Sequence, residues 1–236
     1  MFCAGLGERM RPLTDATPKP LLVAGGKPLV AWHLERLAAI GVRDVVINTS
    51  WLAGQFPQVL GDGSRWGLTL HFLHEGDTPL ETGGGMHNAL PLLCGDGDVP
   101  FLAINGDVWC DHPLATLPKA LQRDDAAHLV LVDNPAHHPQ GDFVLGPDGA
   151  VADAGADAGD PRLTFSGIGV YRRALFDRWR EVIGDRAGAD LQPPRFPIAP
   201  LLRAAMARGA VSGEHHRGRW TDVGTPQRLT ELDSTL

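Results

Sequence analysis

Short runs of β-branched and other apolar residues alternate, through the first half of the chain, with stretches whose apolar positions recur at helical spacing. Val45-Val46-Ile47, within residues 42–48, is the kind of run that fills a strand buried on both faces, and Phe101-Leu102-Ala103-Ile104 is another. Residues 68–73 alternate and predict a further strand, while Phe2-Cys3-Ala4 reads as the end of a strand leading into a glycine turn. Between these runs, Leu29, Val30, Leu34, Leu37 and Ala38 keep helical spacing behind Pro28, which suits a first helical position, and Gly41 marks the stop. Residues 53–60 predict a second helix, Gly61-Asp62-Gly63-Ser64 a turn, and Gly83-Gly84-Gly85 the opening of a helix running to about Leu93. This alternation predicts an α/β fold, doubly wound, with a mostly parallel central sheet. Ligands of such sheets gather beyond the carboxyl ends of the strands, which is where the loops after Ala4 and after Ile104 fall.

The second half is less regular. Residues 127–132 and 163–171 predict strands, 134–142 a loop, and 196–208 a helix stopped by Gly209. Residues 148–160 are rich in Gly, Ala and Asp and read as a solvated turn region. Thr225 is a natural cap, and Pro226 a natural first residue, for a closing helix.

With 236 residues the chain is long enough to bury a full core. A net charge of −7 argues against a non-specific nucleic-acid binder, but not against a site for a small anion, since local charge decides that. No apolar run approaches the roughly 20 residues of a membrane span. Cys3, Cys94 and Cys110 are odd in number and lack metal spacing, so they read as core residues of a protein kept in a reducing cytoplasm.

The chemistry concentrates at the start. Ala4-Gly5-Leu6-Gly7-Glu8-Arg9-Met10-Arg11-Pro12-Leu13-Thr14 is followed by Thr17-Pro18-Lys19-Pro20. Two glycines let a backbone pass close to a polyphosphate with its N–H groups inward, and Arg9, Arg11 and Lys19 supply cations; an ordinary surface turn would read similarly. The Gly-Lys-Ser/Thr ending of a Walker loop is absent, and Met10 stands where a dinucleotide fingerprint needs a small residue. Asp107 ends a buried strand behind a glycine, and Asp222 precedes Val-Gly-Thr-Pro; two carboxylates with few other ligands suit Mg²⁺, though each could be a turn or cap residue. The glycines behind Thr82 offer open helix N–H groups for a phosphate or a base edge, or else close packing. Neither His137-His138 nor His215-His216 has the i, i+4 spacing of a zinc site, and Ser166 does not lie in a hydrolase elbow.

Together these motifs resemble the sugar-1-phosphate nucleotidyltransferases: the opening turn with Pro18-Lys-Pro20, Asn105-Gly-Asp107, and Trp220-Thr-Asp222-Val-Gly-Thr225. The resemblance spans essentially the whole chain and implies one nucleotidyltransferase domain over 1–236, Rossmann-like and of the GT-A type. Leu80-Glu-Thr-Gly-Gly-Gly85, Asp133-Asn-Pro135 with His137-His138, Gly141-Asp-Phe143 and Ser212-Gly-Glu-His215 are most similar to members that act on N-acetylmuramic acid 1-phosphate in peptidoglycan recycling. It implies that UTP and a sugar 1-phosphate give a UDP-sugar and pyrophosphate, with Mg²⁺ held by Asp107 and Asp222. Arg9, Lys19 and Asp107 would be catalytic; Gly5, Gly7, Glu8, Arg9 and Lys19 would bind the nucleotide, with Gly83 and Gly84 at the base. Asn105, Asp142 and Gly167 would meet the sugar. A monomer or small homo-oligomer, with no nucleic-acid or membrane partner, is expected. Two departures stand out. The chain opens inside its first strand, where relatives have further residues, so a start codon further upstream is expected. Residues 148–160 occupy the place of the thymidylyltransferases' Glu-Glu-Lys-Pro, which disfavours glucose 1-phosphate and leaves the sugar contacts there unassigned. The alternatives are a mannose-1-phosphate guanylyltransferase or another sugar-nucleotide pyrophosphorylase, and an inactive sugar-nucleotide-binding regulator; the latter should have lost Arg9, Lys19, Asp107 or Asp222, and all four are present.

Overall fold

The structure, a computed structural model, describes residues 1–95, 97–122, 124–153 and 161–236. From residue 154 onward, the solvated turn expected over 148–160 lies outside the described residues. In chain order the strands are β1 (Val23–Ala24), β2 (Lys27–Pro28), β3 (Asp44–Thr49), β4 (Thr69–His74), β5 (Phe101–Ile104), β6 (Val108–Cys110), β7 (Ala127–Val132), β8 (Phe143–Leu145), β9 (Val151–Ala152), β10 (Arg162–Tyr171), β11 (Val211–His216) and β12 (Trp220–Asp222). The α-helices are α1 (Leu13–Ala16), α2 (Leu29–Ala39), α3 (Gln55–Leu60), α4 (Glu81–Leu93), α5 (Trp179–Ile183), α6 (Ala199–Met206) and α7 (Pro226–Asp233). They form two compact units: Met1–Leu80 with Ile104–Leu114 and Trp220–Leu236, and Glu81–Ala103 with Ala115–Arg219.

In the first unit, β3 pairs in parallel with β4, and Val45, Val46 and Ile47 are buried as their β-branched run predicts. Phe2 makes parallel bridges to both Asn48 and Asn105. Its N–H donates to the Ile104 carbonyl at 2.9 Å, and that of Cys3 donates to the Asn48 carbonyl at 3.1 Å. The expected strand is represented here by isolated bridges at Phe2 rather than by a strand. Helix α2 buries Leu29, Val30, Leu34 and Leu37 along one face, together with His33. Pro28 caps this helix rather than opening it, because its ψ of 143° keeps it extended in β2. Strand β12 lies antiparallel to β6, with Asp222 opposite Val108.

In the second unit the sheet order is β11-β7-β10-β8-β9, and β5 pairs with β10. All six residues of β7 are buried. Strand β11 runs parallel to β7, whereas β10 is antiparallel to both β7 and β8, and β8 to β9. The antiparallel pairs give the sheet a mixed character. Strands β8 and β9, consecutive in the chain, are joined by a turn closed by the Gly146 N–H on the Ala150 carbonyl at 2.8 Å, too short for the crossover a parallel pair needs. Helix α6 begins at Ala199 rather than at 196, with Pro200 in its first turn. Phe196 instead stacks on Trp179 with ring centroids 4.8 Å apart.

Candidate active site

The opening turn is fixed from beneath. Gly7 has a φ of +68°, and a Cβ there would come within 2.8 Å of the Thr14 methyl. Its carbonyl accepts from the Thr14 hydroxyl and from the Met10 N–H, both at 2.8 Å. Met10, the residue that rules out a dinucleotide fingerprint, is fully buried among Leu22, Ala24, Leu29, Val223 and Leu232. It therefore anchors the turn in the core while Gly5, Glu8, Arg9 and Arg11 stay exposed. A Cβ on Gly5 would meet nothing within 4 Å, so the steric demand for glycine falls on Gly7.

Lys19 and Asp107 meet directly: Nζ lies 2.5 Å from Oδ2, and the lysine side chain is only 11% exposed. Pro18 and Pro20 flank Lys19 in a 3-10 turn, Lys19–Leu21, which restricts its backbone. Asp107 is placed by Gly106, where a Cβ would fall 2.6 Å from the Cys3 sulfur and 2.9 Å from the Phe2 carbonyl oxygen. The Gly106 N–H donates to that carbonyl at 2.8 Å. Asn105 is the bridge partner of Phe2, so its backbone belongs to the same ladder. The Val223 N–H donates to the Asp107 carbonyl at 2.9 Å, one step along the chain from the Asp222–Val108 pair of the β6–β12 ladder. Asp222 is paired with Arg228. Two carboxylates are hard oxygen donors of the kind a divalent cation takes.

Sequence reasoning missed a buried relay in this unit. The Asn48 amide oxygen accepts from the Cys3 N–H at 3.3 Å, and its Nδ2 donates to Glu75 Oε1 at 2.5 Å. Glu75 Oε2 accepts from the Leu80 N–H at 2.8 Å. Burial pushes the Glu75 carboxyl up, while the bonds from Leu80 and Asn48 work the other way. No local signal marks these residues, since the pairing depends on the parallel register of β3 and β4. Burial also pushes the Cys3 thiol up to about 12 and that of Cys110 to about 11, so both are inert core residues as expected.

The remaining predicted residues lie in the second unit. Gly83 cannot carry a side chain, because a Cβ would sit 2.6 Å from the Phe196 ring. The Gly84 N–H donates to the Phe196 carbonyl at 2.9 Å. At Gly84 this corrects the expectation of an open N–H group, and at Gly83 the absence of a side chain serves close packing. Glu81 opens α4 with a φ of +62°, a strained conformation for a non-glycine residue, and pairs with Arg195 at 3.3 Å. Asp142 Oδ2 accepts from the Phe165 N–H at 2.8 Å, and Oδ1 lies 3.1 Å from His138 Nε2. Gly167, with a φ of +81°, sits where the β10–β7 register shifts between Phe165 and Ile168.

An anchored glycine turn, a lysine–aspartate pair and a second aspartate before the closing helix are the features by which the sequence resembles the nucleotidyltransferases. The chain belongs to the sugar-1-phosphate nucleotidyltransferase family, and the Nucleotidyl transferase family model matches residues 1–149. It is 46% identical over 237 residues to N-acetylmuramate alpha-1-phosphate uridylyltransferase of Neisseria meningitidis serogroup B, covering 99% of this chain and 96% of that protein. It is 32% identical over 247 residues to the protein of the same name from Caulobacter vibrioides, covering 100% of this chain and 95% of that one. A solved structure assigned to the glucose-1-phosphate thymidylyltransferases, from Bacillus anthracis, shares the fold with a TM-score of 0.80 at 18% identity, covering 99% of this chain and 92% of that one.

Proposed function

We propose that the protein transfers the uridylyl group of UTP to N-acetylmuramic acid 1-phosphate, giving UDP-N-acetylmuramic acid and pyrophosphate, as a cytoplasmic step of peptidoglycan recycling. The observation that carries the reading is the Lys19–Asp107 pair beside the anchored glycine turn, in a chain nearly half identical to a uridylyltransferase of that name. An oxygen of the sugar phosphate attacks the α-phosphorus in line as the bond to the β-phosphate oxygen breaks, and pyrophosphate leaves. Such transfers need positioning and charge neutralisation rather than a covalent nucleophile. Gly5, Gly7 and Glu8 hold the triphosphate through backbone and orientation. Arg9 neutralises charge at the reacting phosphates, and Lys19 draws the two phosphate-bearing substrates together. When bound by Asp107 and Asp222, Mg²⁺ supplies Lewis-acid neutralisation of phosphate oxygens. Gly83 and Gly84 are the residues we assign to the base, and Asn105, Asp142 and Gly167 those we assign to the sugar.

A pyrophosphate-release assay crossing four nucleoside triphosphates with the 1-phosphates of N-acetylmuramic acid, N-acetylglucosamine, mannose and glucose tests the proposal. Turnover should be highest with UTP and N-acetylmuramic acid 1-phosphate. A preference for GTP with mannose 1-phosphate would transfer the chain to the guanylyltransferases, and no turnover in any arm would favour a binding regulator. Asp107→Ala should lower turnover by about 10²–10³-fold, the usual cost of removing one charge-stabilising group. Its melting temperature should be recorded alongside, because the change also removes the partner of the largely buried Lys19 ammonium.

A further inference from the structure

Each of the two carboxylates proposed to hold the metal already carries a protein cation. Asp107 is paired with Lys19, and Asp222 with Arg228. The second pair is built rather than incidental. Arg228 lies in the first turn of α7, and its own N–H donates to the capping Thr225 hydroxyl oxygen at 3.3 Å, which fixes where its side chain starts. Gly224 leaves the space the guanidinium crosses: a Cβ there would stand 2.9 Å from the guanidinium carbon and 3.2 Å from Asp222 Oδ2. The Gly224 N–H donates to the Asp222 carbonyl at 2.9 Å, closing the turn around the aspartate. Both side chains are largely sequestered, Arg228 16% and Asp222 24% exposed, so their attraction is less screened than at an open surface.

We infer that Arg228 is an internal counterion that holds Asp222 and competes with the metal for it, so that the nucleotide-free protein takes up divalent cation only weakly. A carboxylate that already faces a cation attracts a bare divalent ion less than an unpaired one would. A polyanionic triphosphate changes that balance by offering the cations new partners and bringing oxygen ligands of its own. Metal loading is therefore coupled to the nucleotide, and Arg228 is the positioning residue that enforces the coupling. This inference rests on the assignment of Asp107 and Asp222 as metal ligands.

Mn²⁺ binding to the nucleotide-free protein, followed by the loss of the free-ion paramagnetic resonance signal, tests it without any turnover. Wild type should bind weakly. Arg228→Gln should bind about tenfold more tightly, the effect of removing one unit charge beside a divalent ion in a largely aqueous medium. Arg228→Lys, which keeps the charge, should match wild type, whereas a merely structural role would weaken both variants. Arg228→Met is the second neutral variant should Gln disturb folding, which circular dichroism checks. In the double variant Arg228→Gln/Asp222→Asn the gain should vanish. Tight binding by wild type, or no gain in either neutral variant, would overturn the counterion role while leaving the ligand assignment standing. A gain that survives Asp222→Asn would overturn the ligand assignment and the inference with it.

Discussion

At Gly106 the absence of a side chain sets the position of Asp107. The Cys3 sulfur and the Phe2 carbonyl oxygen approach so closely that a methyl group would overlap both, and Pro20, beside Lys19, lies 3.3 Å from the same point. Gly106→Ala should therefore destabilise the protein by about 1–3 kcal/mol, the usual cost of overpacking a tight site, and lower turnover per folded molecule as Asp107 is displaced from Lys19. A urea titration with a parallel activity measurement separates the two effects, and a variant with the wild-type midpoint would show that the segment yields freely. That Asp107 lies just beyond its strand was legible in the sequence, since the buried run Phe101–Ile104 gives way to Asn-Gly-Asp. The tightness of the packing was not, because it depends on residues about a hundred positions away. Glu75 was less legible still: its partners, Asn48 and Leu80, follow from strand register and burial, neither of which has a local sequence signature.

Among the elements, the closing helix shows where sequence reasoning succeeds and where it stops. Thr225-Pro226 marks a helix start by local chemistry alone, and α7 begins at Pro226 with the Thr225 hydroxyl accepting from the Arg228 N–H. Thr225→Ala should cost about 1 kcal/mol, read as a lower urea midpoint. Through the loosened first turn it should also weaken the hold of Arg228 on Asp222, read as tighter Mn²⁺ binding in the nucleotide-free protein. The strands with β-branched runs, β3 and β7, fall within a residue or two of their predicted bounds because local preference and burial agree there. The three glycines of α4 were harder to read: helix N-termini and close packing call for the same residue, and only the position of Phe196 decides between them at Gly83. Helix α3 starts at Gln55 rather than 53 because Leu52, with a φ of +50°, ends the preceding turn outside helical space.

At the scale of the whole molecule, the buried histidines give stability a pH dependence that the net charge of −7 would not suggest. His33 on α2 is fully buried, and its Nε2 lies 2.7 Å from the Val108 carbonyl oxygen, to which it donates as a neutral ring. Burial pushes its pKa from 6.5 down to about 4, with the bond to Val108 opposing. Between those values the unfolded chain binds a proton that the folded chain does not, so stability falls as the pH drops, by about 1.4 kcal/mol per pH unit and about 3 kcal/mol across the window. His128 acts in the same sense: burial lowers its pKa while Glu214 and Asp125 raise it, and Ser212 bridges it to Asp125 through bonds of 2.9 and 2.6 Å. Glu75 acts in the opposite sense, since its raised carboxyl takes up a proton in the folded state first. The wild-type slope is thus a difference between these groups, and a single substitution isolates one contribution. His33→Gln can keep a donor for the Val108 carbonyl but cannot titrate. Urea titrations from pH 7 to pH 4.5 should show the variant losing less stability than wild type, the gap widening by about one proton's worth per pH unit near pH 5. Parallel curves for the two proteins would mean that His33 takes up its proton in the folded state as readily as in the unfolded one, and that the acid sensitivity of this fold lies elsewhere.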